Sequence, residues 1–326
     1  MSVDKAPLSA SPDIAGDMAE ELNAGVALAG RSFSDDFVVT HELDALAERA
    51  LRYLDARIPV HFRGRAGCGK TALALYLAHE LGRSVYFLSG DAMRTTESLV
   101  GRETGQKTRH VVDRYVHSVS KVERETSIAW QADVLTQAAL GGGTLVYDEF
   151  TRSPAEANNA LLSVLEEGVL MLPAAAGQGS FAPVHDDFRV LFTSNSAEYA
   201  GVQAAPDALI DRMITFDLDD LTAQTETAVV AHRSGLTNQN ASCIVGLVRA
   251  FRASGMAHQV PTMRASLMIA QVAHHAGLSV SVDDPAFCEV VVDVLASKRR
   301  QDGAAESDLS ALIAQHCPSA PKRRRA

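Results

Sequence analysis

Apolar residues first fall into a helical rhythm at Leu43, Leu46, Ala47, Ala50, Leu51 and Leu54, the i, i+3, i+4, i+7 spacing of an amphipathic helix. Five short apolar runs follow, at 59–62, 85–88, 144–147, 189–193 and 213–218, and longer stretches of helical period separate them. Strands that alternate with helices need crossover connections, which pair strands in parallel. The pattern therefore predicts an α/β domain over residues 36–220, a parallel sheet sandwiched by helices. Beyond Asp220 the strand signal stops. Helical stretches at 223–232, 241–254, 264–276 and 285–298 predict a smaller C-terminal all-helical domain over 221–300. Residues 1–35, rich in Ser, Ala, Asp and Gly without period, read as a mobile leader, and 301–326 as a loose tail.

Charge and cysteine usage narrow the function classes. Lys and Arg total 30 against 40 Asp and Glu, a net charge of −10, which disfavours a nucleic-acid or anionic-membrane binder. The exception is the basic end formed by Lys322, Arg323, Arg324 and Arg325. Cys68, Cys243, Cys288 and Cys317 are scattered, without the spacing of a zinc site or a disulfide framework. With neither a signal-peptide core nor an apolar run of membrane length, the expected location is the cytoplasm.

The chemistry starts at Gly64-Arg65-Ala66-Gly67-Cys68-Gly69-Lys70-Thr71, which satisfies G-x-x-x-x-G-K-[ST] at every fixed position. It follows a predicted strand and precedes a helix with a core face at Ala74, Leu77, Ala78 and Leu81, the context that makes the motif meaningful. Glycines let the backbone wrap phosphates, and the amides and helix N-terminus attract the anion. Lys70 is expected at the β- and γ-phosphates of ATP and the Thr71 hydroxyl on Mg2+. Cys68 at a helix N-terminus raises a redox reading, beside the plainer one of a tolerated small side chain.

The run 144–147 ends in Asp148 and Glu149. Asp148 is expected to hold the magnesium shell and Glu149 to polarise the attacking water, a division of labour that suits an ATPase better than a small-molecule kinase. Ser153-Pro154-Ala155-Glu156 reads as a capping box that launches a helix with Ala157, Ala160, Leu161, Val164 and Leu165 on its buried face. The run 189–193 leads to Asn195, either an amide that orients water near the γ-phosphate or a turn former. Arg212 before the run 213–218 is either an arginine lent to a neighbouring subunit or a surface ion pair. Arg264, opening a helix, is either a lid contact to the γ-phosphate or a solvated side chain.

In this order the phosphate loop, Asp-Glu pair, Asn and Asp-Arg resemble the AAA+ ATPases of the MoxR-type branch. Narrower blocks resemble the gas vesicle protein GvpN family: 111–119, 144–152 (TLVYDEFTR), 158–167 (NNALLSVLEE), 187–195 (DFRVLFTSN), 198–202 (EYAGV) and 207–214 (DALIDRMI). Cys68 departs from the Ser or Thr usual at its position. The resemblance is dense over 36–219. It implies an ATP hydrolase with an αβ core and helical lid, a homo-oligomeric ring, arginine donation in trans by Arg212 and lid sensing by Arg264. It implies a hairpin at 169–172 and 181–185 whose tip, 174–179, touches substrate or only packs. The partners it implies are gas vesicle accessory or structural proteins. Two other readings stay open at this point: a MoxR-type chaperone that activates or metal-loads another enzyme, and a nucleotide-gated binding module with little turnover.

Overall fold

The computed structural model describes residues 37–113, 121–172, 181–195, 207–218, 221–296, 298, 306–317 and 319. The first helix, α1 (His41–Asp55), begins at Thr40, whose backbone is extended and whose side-chain hydroxyl accepts the Leu43 amide. Its buried face is Leu43, Ala47, Ala50 and Leu54, as the periodicity predicts. Five strands, β1 (Val60–Gly64), β2 (Val85–Ser89), β5 (Thr144–Asp148), β8 (Arg189–Asn195) and β9 (Ile214–Leu218), form one sheet in the order β2-β5-β8-β1-β9. Every pairing is parallel. All seven residues of β8 are buried, and a strand covered on both faces reads as a continuous apolar run.

Side chains alternate between two layers along each strand. Val146 and Leu191 point with Phe62 into the layer beneath α1 and α2 (Lys70–Glu80), where Leu73 and Leu77 pack. Leu145, Tyr147 and Phe192 point to the opposite layer, against α4 (Val134–Gly141) and α6 (Ala160–Glu166). Between α2 and α4 lie α3 (Glu97–Val100) and a long antiparallel hairpin absent from the sequence expectations, β3 (Gly101–Asp113) with β4 (Lys121–Ala132). A second hairpin pairs β6 (Val169–Met171) with β7 (Phe181–Pro183). It stands where a hairpin is expected, though its strands are shorter.

The capping box at Ser153 is a correction. Its hydroxyl lies 2.7 Å from the Tyr147 hydroxyl and accepts the Asp91 amide at 3.2 Å, so it serves tertiary contacts. Pro154 takes the cap position, and the helix divides into α5 (Ala155–Asn158) and α6. The turn breaks there while Asn158, buried, meets Tyr147 and donates to the Phe150 carbonyl.

After the short α7 (Asp207–Ile210) and β9, the chain is helical: α8 (Ala223–Ser234), α9 (Asn238–Ala253), α10 (Met263–His275), α11 (Pro285–Ala296) and α12 (Glu306–His316). They share a core that includes Val230, Ile244, Phe251, Ile269, Phe287 and Val291. The expected loose tail needs correction in part, because α12 places Leu309 and Ile313, and Cys317 just after it, in this core. Glu42 on α1 accepts hydrogen bonds from the Thr222 and Thr225 hydroxyls, each at 2.7 Å. That carboxylate at the start of α8 fastens the helical part to the αβ part. Several expectations lie outside the described residues: the leader 1–35, the hairpin tip 174–179, the 198–202 block and the basic end 322–325.

His61, on β1 between β8 and β9, is buried between Ser194 Oγ (2.8 Å from Nε2) and Thr215 Oγ1 (3.0 Å from Nδ1). Burial, reinforced by the charge of Arg63, lowers its pKa to about 4. The unfolded imidazole, near pH 6.5, takes up its proton first. The folded state therefore loses stability as pH falls from about 6.5 toward 4. His61 should account for about 2 kcal/mol of the decline between pH 7 and pH 5. Urea unfolding of the wild type and His61→Asn at both pH values checks this: the variant should show the shallower decline.

Candidate functional site

Parallel register assembles the site. Gly64, at the end of β1, lies opposite Asn195 at the end of β8, and Tyr147 of β5 lies opposite Phe192. The residues that follow these partners, the 64–71 loop, Asp148 and Glu149, thus emerge side by side at the carboxyl ends of the strands, where open α/β sheets bind ligands.

The loop turns through Gly67 (φ 84°) and Gly69 (φ 98°) into α2. Gly69 is the cap residue and no side chain caps the helix, so the first amides of α2 remain available to an anion. At Gly67 a Cβ would also come within 2.8 Å of Thr262 Oγ1, so the loop approaches the helical part too closely for any side chain. Lys70 is buried. Its Nζ donates to the carbonyls of Gly64 (3.0 Å) and Arg65 (2.8 Å) and to Asn195 Oδ1 (3.0 Å). Burial pulls the Lys70 ammonium below the ordinary lysine value, opposed by the charges of Cys68, Asp148 and Glu149.

Asn195 extends the chain of contacts, its Nδ2 donating to Glu149 Oε1 at 3.1 Å. Asp148 Oδ1 accepts from the Thr71 and Thr193 hydroxyls, each at 2.6 Å. Thr193 Oγ1 in turn accepts the Glu149 amide at 2.9 Å. Glu149 has φ 51°, a left-handed conformation that costs a non-glycine residue about 1–3 kcal/mol. It is held there from both sides. The Gly90 amide donates to the Asp148 carbonyl at 2.7 Å. A Cβ on Gly90 would stand 2.0 Å from the Glu149 carbonyl oxygen.

Lys70, Thr71, Glu149, Thr193 and Asn195 line one cavity of about 620 Å³, together with loop residues Ala66, Gly67, Cys68 and Gly69. Arg264 reaches the same cavity from α10. Apolar side chains complete the lining: Phe37, Val38 and Leu43 before and within α1, and Val229 and Leu267 from the helical part. A polar phosphate cradle continuous with an apolar slot fits a nucleotide. Thr71 and Asp148 present hard oxygen donors. Among the described residues no group of three or more His, Cys, Asp or Glu side chains can hold a metal ion. A cation here would draw the rest of its shell from phosphate and water, as Mg2+ does.

Arg212 is not brought to this cavity. It precedes β9, at the other end of the sheet, and its guanidinium pairs with Glu166 Oε2 at 2.6 Å. Cys68 is buried, and that burial pushes its thiol up, against the electrostatic help of Lys70, so the redox reading gains nothing.

Three contributors escaped the sequence reading. Thr193 shares a strand face with Asn195 two residues on, a period-two signal that was available. Arg152, three residues after Glu149, forms an ion pair with it at 2.5 Å. The apolar slot comes from segments about 200 residues apart, and no local pattern reveals it.

The profile of the AAA domain (dynein-related subfamily) matches residues 59–213. The gas vesicle ATPase GvpN of Ancylobacter aquaticus is 48% identical over 88% of this chain and 83% of its own length. That of Haloferax mediterranei is 41% identical over 81% of this chain and 75% of its own. Protein CbbQ of Hydrogenophilus thermoluteolus is 24% identical over 58% of this chain and 63% of its own. The solved RuvB Holliday junction branch migration motor of Thermotoga maritima aligns at 16% identity with a TM-score of 0.44, covering 81% of this chain and 70% of that one, too loose a likeness to bear on function. No helix among the described residues is long and apolar enough to cross a membrane.

Thr193→Val keeps the shape of the side chain and removes both bonds that join Asp148 to the Glu149 amide. A partner lost from the shell behind a metal ligand typically weakens metal affinity or activity by about 10–100-fold. Magnesium titration of nucleotide binding should show that shift, and an unchanged titration would remove Thr193 from the account.

Proposed function

Because the chain belongs to the GvpN family of gas vesicle ATPases, we propose that it couples ATP hydrolysis to the assembly or remodelling of gas vesicle proteins. The observation that carries the reading is the unbroken contact from Lys70 through Asn195 to Glu149. It occurs in a chain 48% identical to a gas vesicle ATPase. That likeness, at 48% identity over 88% of this chain, favours gas vesicle assembly over activation of another enzyme.

In this reading Lys70 and the amides at the start of α2 hold the β- and γ-phosphates. Thr71 and Asp148 hold Mg2+, which when bound neutralises phosphate charge. Glu149 orients a water molecule and accepts its proton as the water attacks the γ-phosphorus and the bond to the bridging oxygen breaks, releasing ADP, while Asn195 fixes the carboxylate relative to that phosphate. The apolar slot between α1 and the helical part excludes water from the base and ribose. Arg264 approaches the phosphates from the helical side, so closure of that side adds a positive charge to the site.

The chain works as a homo-oligomeric ring in which Arg212 serves the neighbouring subunit's nucleotide. Its distance from the phosphates of its own subunit and its place at the sheet's opposite end support that role. An arginine supplied in trans contributes about 10³–10⁵ in rate in other phosphoryl-transfer systems. The partners are gas vesicle accessory or structural proteins, and the place of action is the cytoplasm, at the gas vesicle.

Glu149→Gln preserves shape and hydrogen bonding to Asn195 while removing the base. The purified variant should bind ATP yet release phosphate at least about 100-fold more slowly, the lower end of what a positioned general base contributes. In a vesicle-forming host lacking its own copy, electron microscopy should show vesicles with the wild-type gene and none with this variant. Wild-type turnover by the variant would remove Glu149 from the mechanism, and normal vesicles in the deletion host would remove the vesicle role.

A further inference from the structure

Both carboxylate oxygens of Glu149 are engaged. Oε1 accepts from Asn195 Nδ2 at 3.1 Å, and Oε2 stands 2.5 Å from Arg152 Nε in an ion pair. The backbone leaves Glu149 little freedom to escape this arrangement. Its φ of 51° is fixed by the Gly90 contact and by the bond of its amide to Thr193. The next three residues, Phe150–Arg152, form a tight turn closed by the Arg152 amide donating to the Glu149 carbonyl at 2.9 Å. That turn projects Arg152 back over the carboxylate it follows.

Such a pairing opposes the chemistry assigned to Glu149. A general base needs a lone pair directed at the water it deprotonates, and a guanidinium 2.5 Å from one oxygen withholds that oxygen. Arg152 is half exposed and lines the same cavity as Lys70, Thr71 and Asn195. It is therefore paired with the base at the wall of the space that the phosphates are proposed to fill. A terminal phosphate carries more negative charge than a carboxylate and offers three oxygens to the planar fork of an arginine. A diphosphate places no such group there.

We infer that Arg152 is a positioning residue that exchanges partners, holding the Glu149 carboxylate when no third phosphate is present and turning to the γ-phosphate when one arrives. The exchange frees Glu149 Oε2 only when there is a bond to hydrolyse. It also makes the side chain a sensor of triphosphate against diphosphate. This inference rests on the reading of Glu149 as the base, and it deepens that reading by naming what restrains it.

The test uses equilibrium binding, so it does not depend on turnover. Full-length wild type, Arg152→Gln and Arg152→Lys are titrated calorimetrically with magnesium and either ADP or the non-hydrolysable triphosphate AMP-PNP. Arg152→Gln should weaken AMP-PNP binding by about tenfold or more and leave ADP binding within about twofold, the difference expected when one charge-assisted contact is lost from the third phosphate alone. Arg152→Lys, which retains the charge, should recover part of the AMP-PNP affinity. Equal weakening of both ligands, or no change in either, would overturn the exchange. Failure of the broader reading looks different, since it appears as undiminished phosphate release by Glu149→Gln whatever the Arg152 variants bind.

Discussion

Everything at this site depends on parallel strand register. Gly64 is paired with Asn195 across β1 and β8, and Tyr147 with Phe192 across β5 and β8. The loop that carries Lys70 and the acids that follow Tyr147 must then leave the sheet on the same side and at the same height. A slip of one residue in β8 would turn Thr193 and Asn195 to the other face, breaking the bonds to Asp148, Glu149 and Lys70 together. The register is itself secured by burial. β8 is covered on both faces, with Leu191 in one layer and Val190 and Phe192 in the other. The catalytic geometry is thus a consequence of core packing one or two residues below it.

Much of this was legible in the sequence because of that burial. Strands covered on both faces must be apolar along their length, so the five runs of the sheet stood out. The phosphate loop has almost no other chemistry open to it between a strand and a helix. What stayed hidden depends on contacts between distant segments. The β3–β4 hairpin is too polar in sequence to present an alternating pattern. Ser153 has the residue type and spacing of a helix cap, yet Tyr147 and the Asp91 amide claim its hydroxyl. The helix Glu306–His316 follows a stretch without apolar period, and its Leu309 and Ile313 gain meaning only against the helical core.

The two parts of the chain meet over the proposed nucleotide cavity. Glu42 binds the first turn of α8 through Thr222 and Thr225, and Thr262 comes up against Gly67 of the phosphate loop. Arg264 and the apolar residues Val229 and Leu267 approach from that same helical side. A ligand filling the slot would touch both parts at once, so its binding energy can act on their relative position. In the proposed function, a charged clamp at one edge and an apolar slot beside it would let nucleotide occupancy act on the relative position of the two parts.

The central claim is spatial: one triphosphate is gripped by the glycine loop and addressed by the acids. The structure of Glu149→Gln with ATP and magnesium, by crystallography or cryo-electron microscopy, tests it most directly. The account predicts the γ-phosphate within hydrogen-bond reach of Lys70 Nζ and Asn195, the metal joined to Thr71 and in reach of Asp148, and the base in the slot beside Phe37 and Val229. A nucleotide bound elsewhere, or phosphates in the loop with Asp148 and residue 149 turned away from them, would contradict it.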